Sequence, residues 1–309
     1  MTPDLVLLGN LLVDDIVYAD GRTRMGQAGG AMLYSSLAAA LWGARVGCVS
    51  VRGDDYPEAA LAELRSRGVA LGGVRALGAP GIRTWLLHED GLRHVVHRLR
   101  CPSHETVSPV PADVPEDWHR ARAFHLAPMP LARQRELVEA IRAWESPSAP
   151  AFVSVDPYVL VTPDTIEAWR ALLVQVDAFL PSEDEMLLPG AADDPERVLA
   201  SLAGGRLRWV FSKRGANGGH LYDAHERRLH AWPAVTPAFV EPTGAGDAFM
   251  AGFVTATLEG RTVGDALKRG AISAGFAISG NGHEGLLNAT RTRADALLDA
   301  WDRLDEEAS

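Results

Sequence analysis

The clearest pattern near the start of the chain is Leu5-Val6-Leu7-Leu8, a short unbroken apolar run that stops at Gly9-Asn10. A run of that length without polar alternation predicts a strand buried on both faces, the first central strand of a sheet. Residues 31–42, rich in Ala and Leu, follow Gly29-Gly30 and stop at Gly43, which predicts a helix with a glycine stop. The rhythm repeats with a strand over 45–51, a helix near 57–67, a strand over 151–155, a helix near 165–173, and short strands at 178–180 and 209–211. Such alternation predicts a largely parallel sheet flanked by helices. Two stretches break it. Residues 16–28 and 82–99, the second centred on Glu89-Asp90-Gly91, have hairpin character, because Asp-Gly between strand-like runs is a strong turn signal. They are expected to form either a small sheet projecting from the core or an ordinary pair of surface hairpins. From 295 to 309, Leu and Trp301 alternate with acids, the pattern of an amphipathic terminal helix.

Of the 309 residues, 47% are hydrophobic and 23% charged, a balance that favours a sizeable core over disorder. The length accommodates two domains or one large α/β domain with an elaboration; no repeat or linker marks a boundary. The net charge of −10 comes without a basic block, which argues against nucleic acid as a partner. Lys213 and Lys268 are the only lysines, so the protein-kinase lysine on an early strand is missing, as is the Gly-Lys-Ser/Thr of a Walker loop. Any phosphate chemistry therefore needs another device. Cys48 and Cys101 are too few for a disulfide framework or a cysteine-built zinc site and are expected to be buried small hydrophobes. Of His88, His94 and His97, the last two stand three apart on a strand and face opposite sides, a poor chelating pair. The opening Met1-Thr2-Pro3-Asp4 has no basic leader region, and no apolar stretch reaches the roughly 18 residues of a membrane span. A cytoplasmic location is the expectation.

The most informative segment is Thr243-Gly244-Ala245-Gly246-Asp247, read as a loop feeding the apolar run that ends at Leu258. Glycines at 244 and 246 clear side chains from the turn into a helix, so backbone N–H groups and the positive end of the dipole converge on one point. Asp247, in the first turn, can take a proton from a hydroxyl beside that anion hole. The alternative is a capped helix whose Asp merely satisfies its own N-terminus. A dinucleotide fingerprint does not fit, because Phe249 stands where a third glycine is needed. Early in the chain, Asp14 and its neighbour Asp15 are carboxylates that can each accept two hydrogen bonds or serve as turn aspartates.

The late Thr-Gly-Ala-Gly-Asp segment resembles the signature of the ribokinase-like, or PfkB, family of carbohydrate and nucleoside kinases. Weaker signposts follow in the family's order from Leu5 to about Leu287: Gly9 with Asp14, the Gly29-Gly30 pair, Asp156-Pro157, Pro181-Ser182-Glu183-Asp184-Glu185, and Phe211-Ser212-Lys213 running to Gly218-Gly219. Three positions depart from the pattern. Tyr34 replaces a frequent asparagine after the double glycine, Ser182 replaces the asparagine of an Asn-x-x-Glu element, and Tyr158 stands where a small polar residue is common.

The resemblance implies a three-layer α/β/α core with a mostly parallel central sheet and a small β-sheet lid. Residues 1–309 would form a single kinase domain, with lid strands inserted at about 11–28 and 82–108. It implies an ATP-dependent phosphotransferase acting on an alcohol, most readily a hydroxymethyl group, of a sugar or sugar-like molecule. Asp247 would be the base and Gly244, Ala245 and Gly246 the anion hole. Asp14, Gly29, Gly30 and Tyr34 would contact the acceptor, and Lys213, Gly215, Thr243 and Asn281 the nucleotide. Glu185 would organise Mg2+ through water, with a monovalent cation such as K+ and a homodimer through the lid as further expectations. Tyr34 in place of asparagine keeps a nucleoside or inositol acceptor open. Ser182 and Tyr34 together keep open a ligand-sensing protein that has lost turnover.

Overall fold

The computed structural model describes residues 2–89, 92–146, 148–235 and 239–308. Its strands, in chain order, are β1 (Leu5–Asn10), β2 (Leu12–Val17), β3 (Thr23–Gly29), β4 (Val46–Arg52), β5 (Ala70–Ala76), β6 (Arg83–Glu89) and β7 (Leu92–His97), then β8 (Ala123–Leu126), β9 (Phe152–Val155), β10 (Ala178–Phe179), β11 (Trp209–Lys213), β12 (Gly219–Asp223) and β13 (Arg228–Trp232). The helices are α1 (Ala31–Leu41), α2 (Glu58–Ser66), α3 (His104–Val107), α4 (Leu131–Trp144), α5 (Ile166–Leu173), α6 (Pro195–Leu202), α7 (Ala245–Leu258), α8 (Val263–Ile278), α9 (Glu284–Leu287) and α10 (Arg291–Ala308).

Nine strands form the main sheet in the order β13-β12-β11-β10-β9-β8-β1-β4-β5. Pairing is parallel from β11 through β5, and antiparallel only where β12 and β13 extend the edge. The unbroken apolar run of β1 has the expected cause. Leu5 and Leu7 join a core layer with Leu37, Phe211 and Phe253, while Val6 and Leu8 join the opposite layer with Phe124, Trp169 and Phe179. Both faces of the strand are thus covered, as a parallel sheet requires. Helix α7 is apolar almost all round because it lies between α1 and α8 with its middle fully buried.

The two irregular stretches form a second sheet, ordered β3-β2-β6-β7, in which two antiparallel pairs meet through the parallel pair β2 and β6. The Asp90-Gly91 turn lies outside the described residues. Cys48 is buried, but Cys101 is only half-buried; its Sγ accepts the Arg83 N–H at 3.3 Å at the foot of the small sheet. No helix among the described residues is long and apolar enough to cross a membrane.

Candidate active site

The carboxyl ends of the parallel strands open toward the small sheet, and a cleft of about 870 Å³ lies between them. This is where open α/β sheets gather ligand groups, since strand ends and helix N-termini converge there. Asn10 closes β1, Asp156 follows β9 directly, Lys213 closes β11, and the start of α7 enters from the side.

At the start of α7, Gly244 holds φ +78° and ψ 3°, a left-handed conformation that glycine adopts without the strain of a side chain. No side chain caps the helix there. Ala245 N–H turns back to Pro242 O at 3.3 Å, and Ala248 N–H makes the first helical bond, to Gly244 O at 2.9 Å. The turn brings the first backbone N–H groups of α7 to the cleft with the positive end of the helix dipole behind them, a setting that suits an anion. Thr243 and Asp247 line the same cleft.

Tyr34, on α1, is buried with its ring against this turn; a Cβ on Gly244 would stand 2.1 Å from its Cδ1. Burial, with Asp14, Glu241 and Asp247 adding, holds its phenol well above the usual tyrosine range, so it stays neutral. The residue that departs from the family pattern thus supports the glycine turn as well as facing the cleft.

A charge cluster sits under the helix start. Lys213 Nζ donates to Asp156 Oδ1 at 2.7 Å. Burial pushes the Asp156 carboxyl up to about 7, opposed by Lys213 and reinforced by Glu185 and Asp247. Burial pulls Lys213 down, but Asp156, Glu185 and Asp247 more than offset it, and the ammonium is retained. Deeper still, His125 Nδ1 meets Ser154 Oγ at 2.9 Å, and burial, then Lys213, lower its ring to about 3, leaving it neutral. Glu185 is held by the Ser182 N–H, which donates to Oε2 at 2.6 Å. This is a backbone contact that any residue at 182 supplies.

Alternation along β2 separates the two adjacent aspartates. Asp14 lines the cleft and lies over Gly29, where a Cβ would come within 2.0 Å of Oδ2. Asp15 turns away, fully buried, to accept the Arg83 guanidinium at 2.7 Å through both oxygens and the Gly26 N–H at 2.8 Å. Those partners hold its carboxyl below the usual range despite the opposing burial, so its role is to hold the small sheet together. Gly30, at φ +93°, passes so close to Asn10 O that a Cβ would meet it at 2.3 Å.

Beside the cleft is an apolar cavity of about 290 Å³, lined by Trp232, Val235, Phe249, Ala274, Gly275 and Ile278, with Gly215 and Lys213 shared between the two. A flat heteroaromatic ring fits such walls. Asn281 lines neither space; its Oδ1 accepts from Tyr18 Oη at 3.1 Å, bridging to the small sheet. The sequence reading expects it at the nucleotide; Ala274, Gly275 and Ile278, just before it in the chain, line the apolar cavity. Also unread were Asn10, Thr84, His97 and His104, which line the opposite end of the cleft. Asn10 and His97 had drawn attention only as a strand end and a rejected metal ligand.

The profile of the pfkB family carbohydrate kinases matches residues 4–288. A cytidine kinase of Thermococcus kodakarensis is 30% identical over 271 residues, covering 86% of this chain and 93% of the relative. Among solved structures, ribokinase from Giardia lamblia superposes with a TM-score of 0.80 at 17% identity, covering 97% of this chain and all of that one. A nucleoside kinase of Burkholderia thailandensis in complex with inosine gives 0.72 at 16% identity, over 94% and 96%. With its parallel sheet, its small second sheet and its glycine turn at the head of α7, the chain belongs to the pfkB family of carbohydrate kinases and is an ATP-dependent small-molecule kinase.

Proposed function

We propose that the protein transfers the γ-phosphoryl group of ATP to a hydroxymethyl group of a nucleoside. One observation carries the choice of acceptor. The end of the cleft that holds Asp14 also holds a ring wall, Tyr158 at 46% exposure with the His104 ring 4.8 Å away. A carboxylate suits ribose hydroxyls, and exposed rings suit a flat base; a free sugar uses only the first. The full-length likeness to a cytidine kinase points the same way.

In this reading Asp247 accepts the proton as the acceptor's O–H bond gives way to an O–P bond, with ADP as the leaving group. The backbone of the Gly244-Ala245-Gly246 turn and the ammonium of Lys213 stabilise charge on the transferring group. ATP supplies that group and Mg2+ neutralises its charge. The apolar cavity suits the adenine, with Gly215 and Thr243 along the path to the phosphates. No group of three or more His, Cys, Asp or Glu side chains suited to a metal occurs among the described residues. Glu185, which lines the cleft, would orient metal-bound water. Closure of the small sheet as a lid excludes water, and Asp14, Gly29, Gly30 and Tyr34 shape the acceptor's seat. A monovalent cation such as K+ belongs to the same proposal. Glu241 is buried, with Oε2 accepting from Gly282 N–H at 3.0 Å and Oε1 left without a hydrogen-bond partner. So does a homodimer through the lid, where Met25, Val96 and Leu99 are exposed.

The test is an acceptor panel of nucleosides, free pentoses, hexoses and inositol, with the phosphate located on the product by 31P NMR. Phosphorylation of a nucleoside 5′-hydroxyl is expected. Turnover of free sugars or inositol alone would overturn the choice of acceptor.

A further inference from the structure

The cleft-facing side of the lid carries one polar row. Asp14 on β2 lies in register with Thr84 on β6, and Thr84 in register with His97 on β7. Beyond His97 a line of polar atoms runs back to the core. Thr84 Oγ1 is 3.5 Å from His97 Nδ1, His97 Nε2 is 3.3 Å from His104 Nε2, and His104 Nδ1 is 3.3 Å from Asn10 Nδ2. The same Asn10 nitrogen donates to Pro128 O at 3.4 Å. A carbonyl only accepts, so that nitrogen is the amide NH2, and the direction of every later bond follows.

Asn10 donates to His104 Nδ1, which must be bare. His104 then carries its proton on Nε2 and donates to His97 Nε2, which must be bare in turn. His97 carries its proton on Nδ1 and donates to Thr84 Oγ1, on the strand that pairs with Asp14 in register. A second proton on either ring would set donor against donor at one of the links. The chain therefore exists only while both imidazoles are neutral. Burial, and then His97, already lower the His104 ring below the usual histidine value, with Glu105 opposing.

The charged and titratable groups around the pair are few. Glu105 acts on it from α3 itself and Tyr158 stands beside it from the segment after β9; Asp14 lies two strands away on β2, and Arg83 and Arg98 turn to Asp15. Glu183 and Asp184 lie elsewhere along the cleft wall. We infer that His97 and His104 are acceptor-positioning residues, linking the lid's Asp14–Thr84 row to the core through Asn10 in a one-directional chain that acidification breaks. The inference deepens the acceptor reading above and rests on it for its kinetic consequence, but the chain itself is a property of the free protein.

Two measurements test it. Long-range 1H–15N correlation spectra of the protein labelled at histidine should show His104 as the Nε2–H tautomer and His97 as the Nδ1–H tautomer at pH 7.5. Rings in the mixture of a free imidazole would overturn the chain without reference to turnover. In steady-state kinetics, the acceptor KM should rise about five- to tenfold from pH 7.5 to 5.5, since a neutral hydrogen bond contributes about that much, whereas any change in kcat over that range, where Asp156 also titrates, should be shared by wild type and the variants below. His104→Phe, which keeps a ring, and Thr84→Val, which cuts only the lid end, should each raise the acceptor KM at pH 7.5 and remove the acid rise. A wild-type KM flat across that range, or an acid rise kept by both variants, would refute the positioning role. Correct tautomers with no phosphoryl transfer to any acceptor would refute the function and leave the chain standing.

Discussion

The glycines at 244 and 246 stand two residues apart in one motif, yet the structure gives them different tasks, and alanine at each should separate them. At 244 an alanine meets two costs. The left-handed φ of +78° is unfavourable for an L-residue by about 1–2 kcal/mol. The new Cβ would also lie 2.1 Å from Tyr34 Cδ1, and because Tyr34 is buried its ring can move only by displacing α1 packing, an overpacking cost of about 1–3 kcal/mol. The sum, about 2–5 kcal/mol, corresponds to a fall in Tm of roughly 3–8 °C for a chain of this size. At 246 the backbone is already helical, and the nearest atom to a new Cβ is the flexible tip of Lys213, 3.3 Å away. Gly246→Ala should therefore melt within about 3 °C of wild type, helix propensity offsetting the contact. Both variants should lose kcat, the first by shifting the turn and the second by crowding the anion hole. Differential scanning calorimetry with steady-state kinetics reads the split. Equal destabilisation by the two alanines, or a Gly244→Ala variant that melts with wild type, would refute the assignment of Tyr34 as the support of this turn.

Two further predictions concern the buried charges. Lys213→Met leaves Asp156 without its cation beside Glu185 and Asp247, and should cost about 3–5 kcal/mol in urea unfolding at pH 8. The deficit should shrink by pH 5.5, because an acid whose folded pKa is raised penalises the fold increasingly as pH rises from its unfolded value of 3.8 to the folded one, and the uncompensated carboxyl takes up a proton on acidification; a deficit independent of pH would contradict the cluster. His125, lowered to about 3 from 6.5, has the opposite sign, since neutral histidine is the folded form and stability is lost as pH falls below 6.5 toward 3. The contribution is at most on the order of 5 kcal/mol. His125→Gln should flatten that limb of the stability profile, and an unchanged slope would show that another group governs it.

How much could be read in advance follows from the range of the forces involved. The β1 run, the α1 and α7 segments and the small-sheet hairpins were legible because burial on both faces, glycine stops and turn chemistry are local signals. The edge strand β5, Ala-Leu-Gly-Gly-Val-Arg-Ala, was missed because two glycines erase its alternation. β8 is too short to show periodicity on its own. At the site, the glycine turn was legible because its function requires a local backbone shape. The apolar cavity was not, because Trp232, Phe249 and Ile278 come from three separate elements and each reads as ordinary core. Nor does the local sequence show that Asn281, only three positions from Ile278, turns toward Tyr18 of the small sheet. The His97 and His104 pair joins a lid strand to a short helix through space, and a spacing of seven residues carries no sign of that contact.

The central claim, phosphoryl transfer to a nucleoside hydroxyl with Asp247 as base, is tested most directly by ADP release from Mg-ATP in the presence of cytidine and other nucleosides. Wild type and Asp247→Asn are measured side by side, with ATP binding followed separately by thermal shift. The account predicts nucleoside-dependent release by wild type that falls by about 10²–10⁴-fold in the variant while ATP binding persists. No nucleoside-dependent release by wild type, or an Asn variant that keeps most of its turnover, would contradict it.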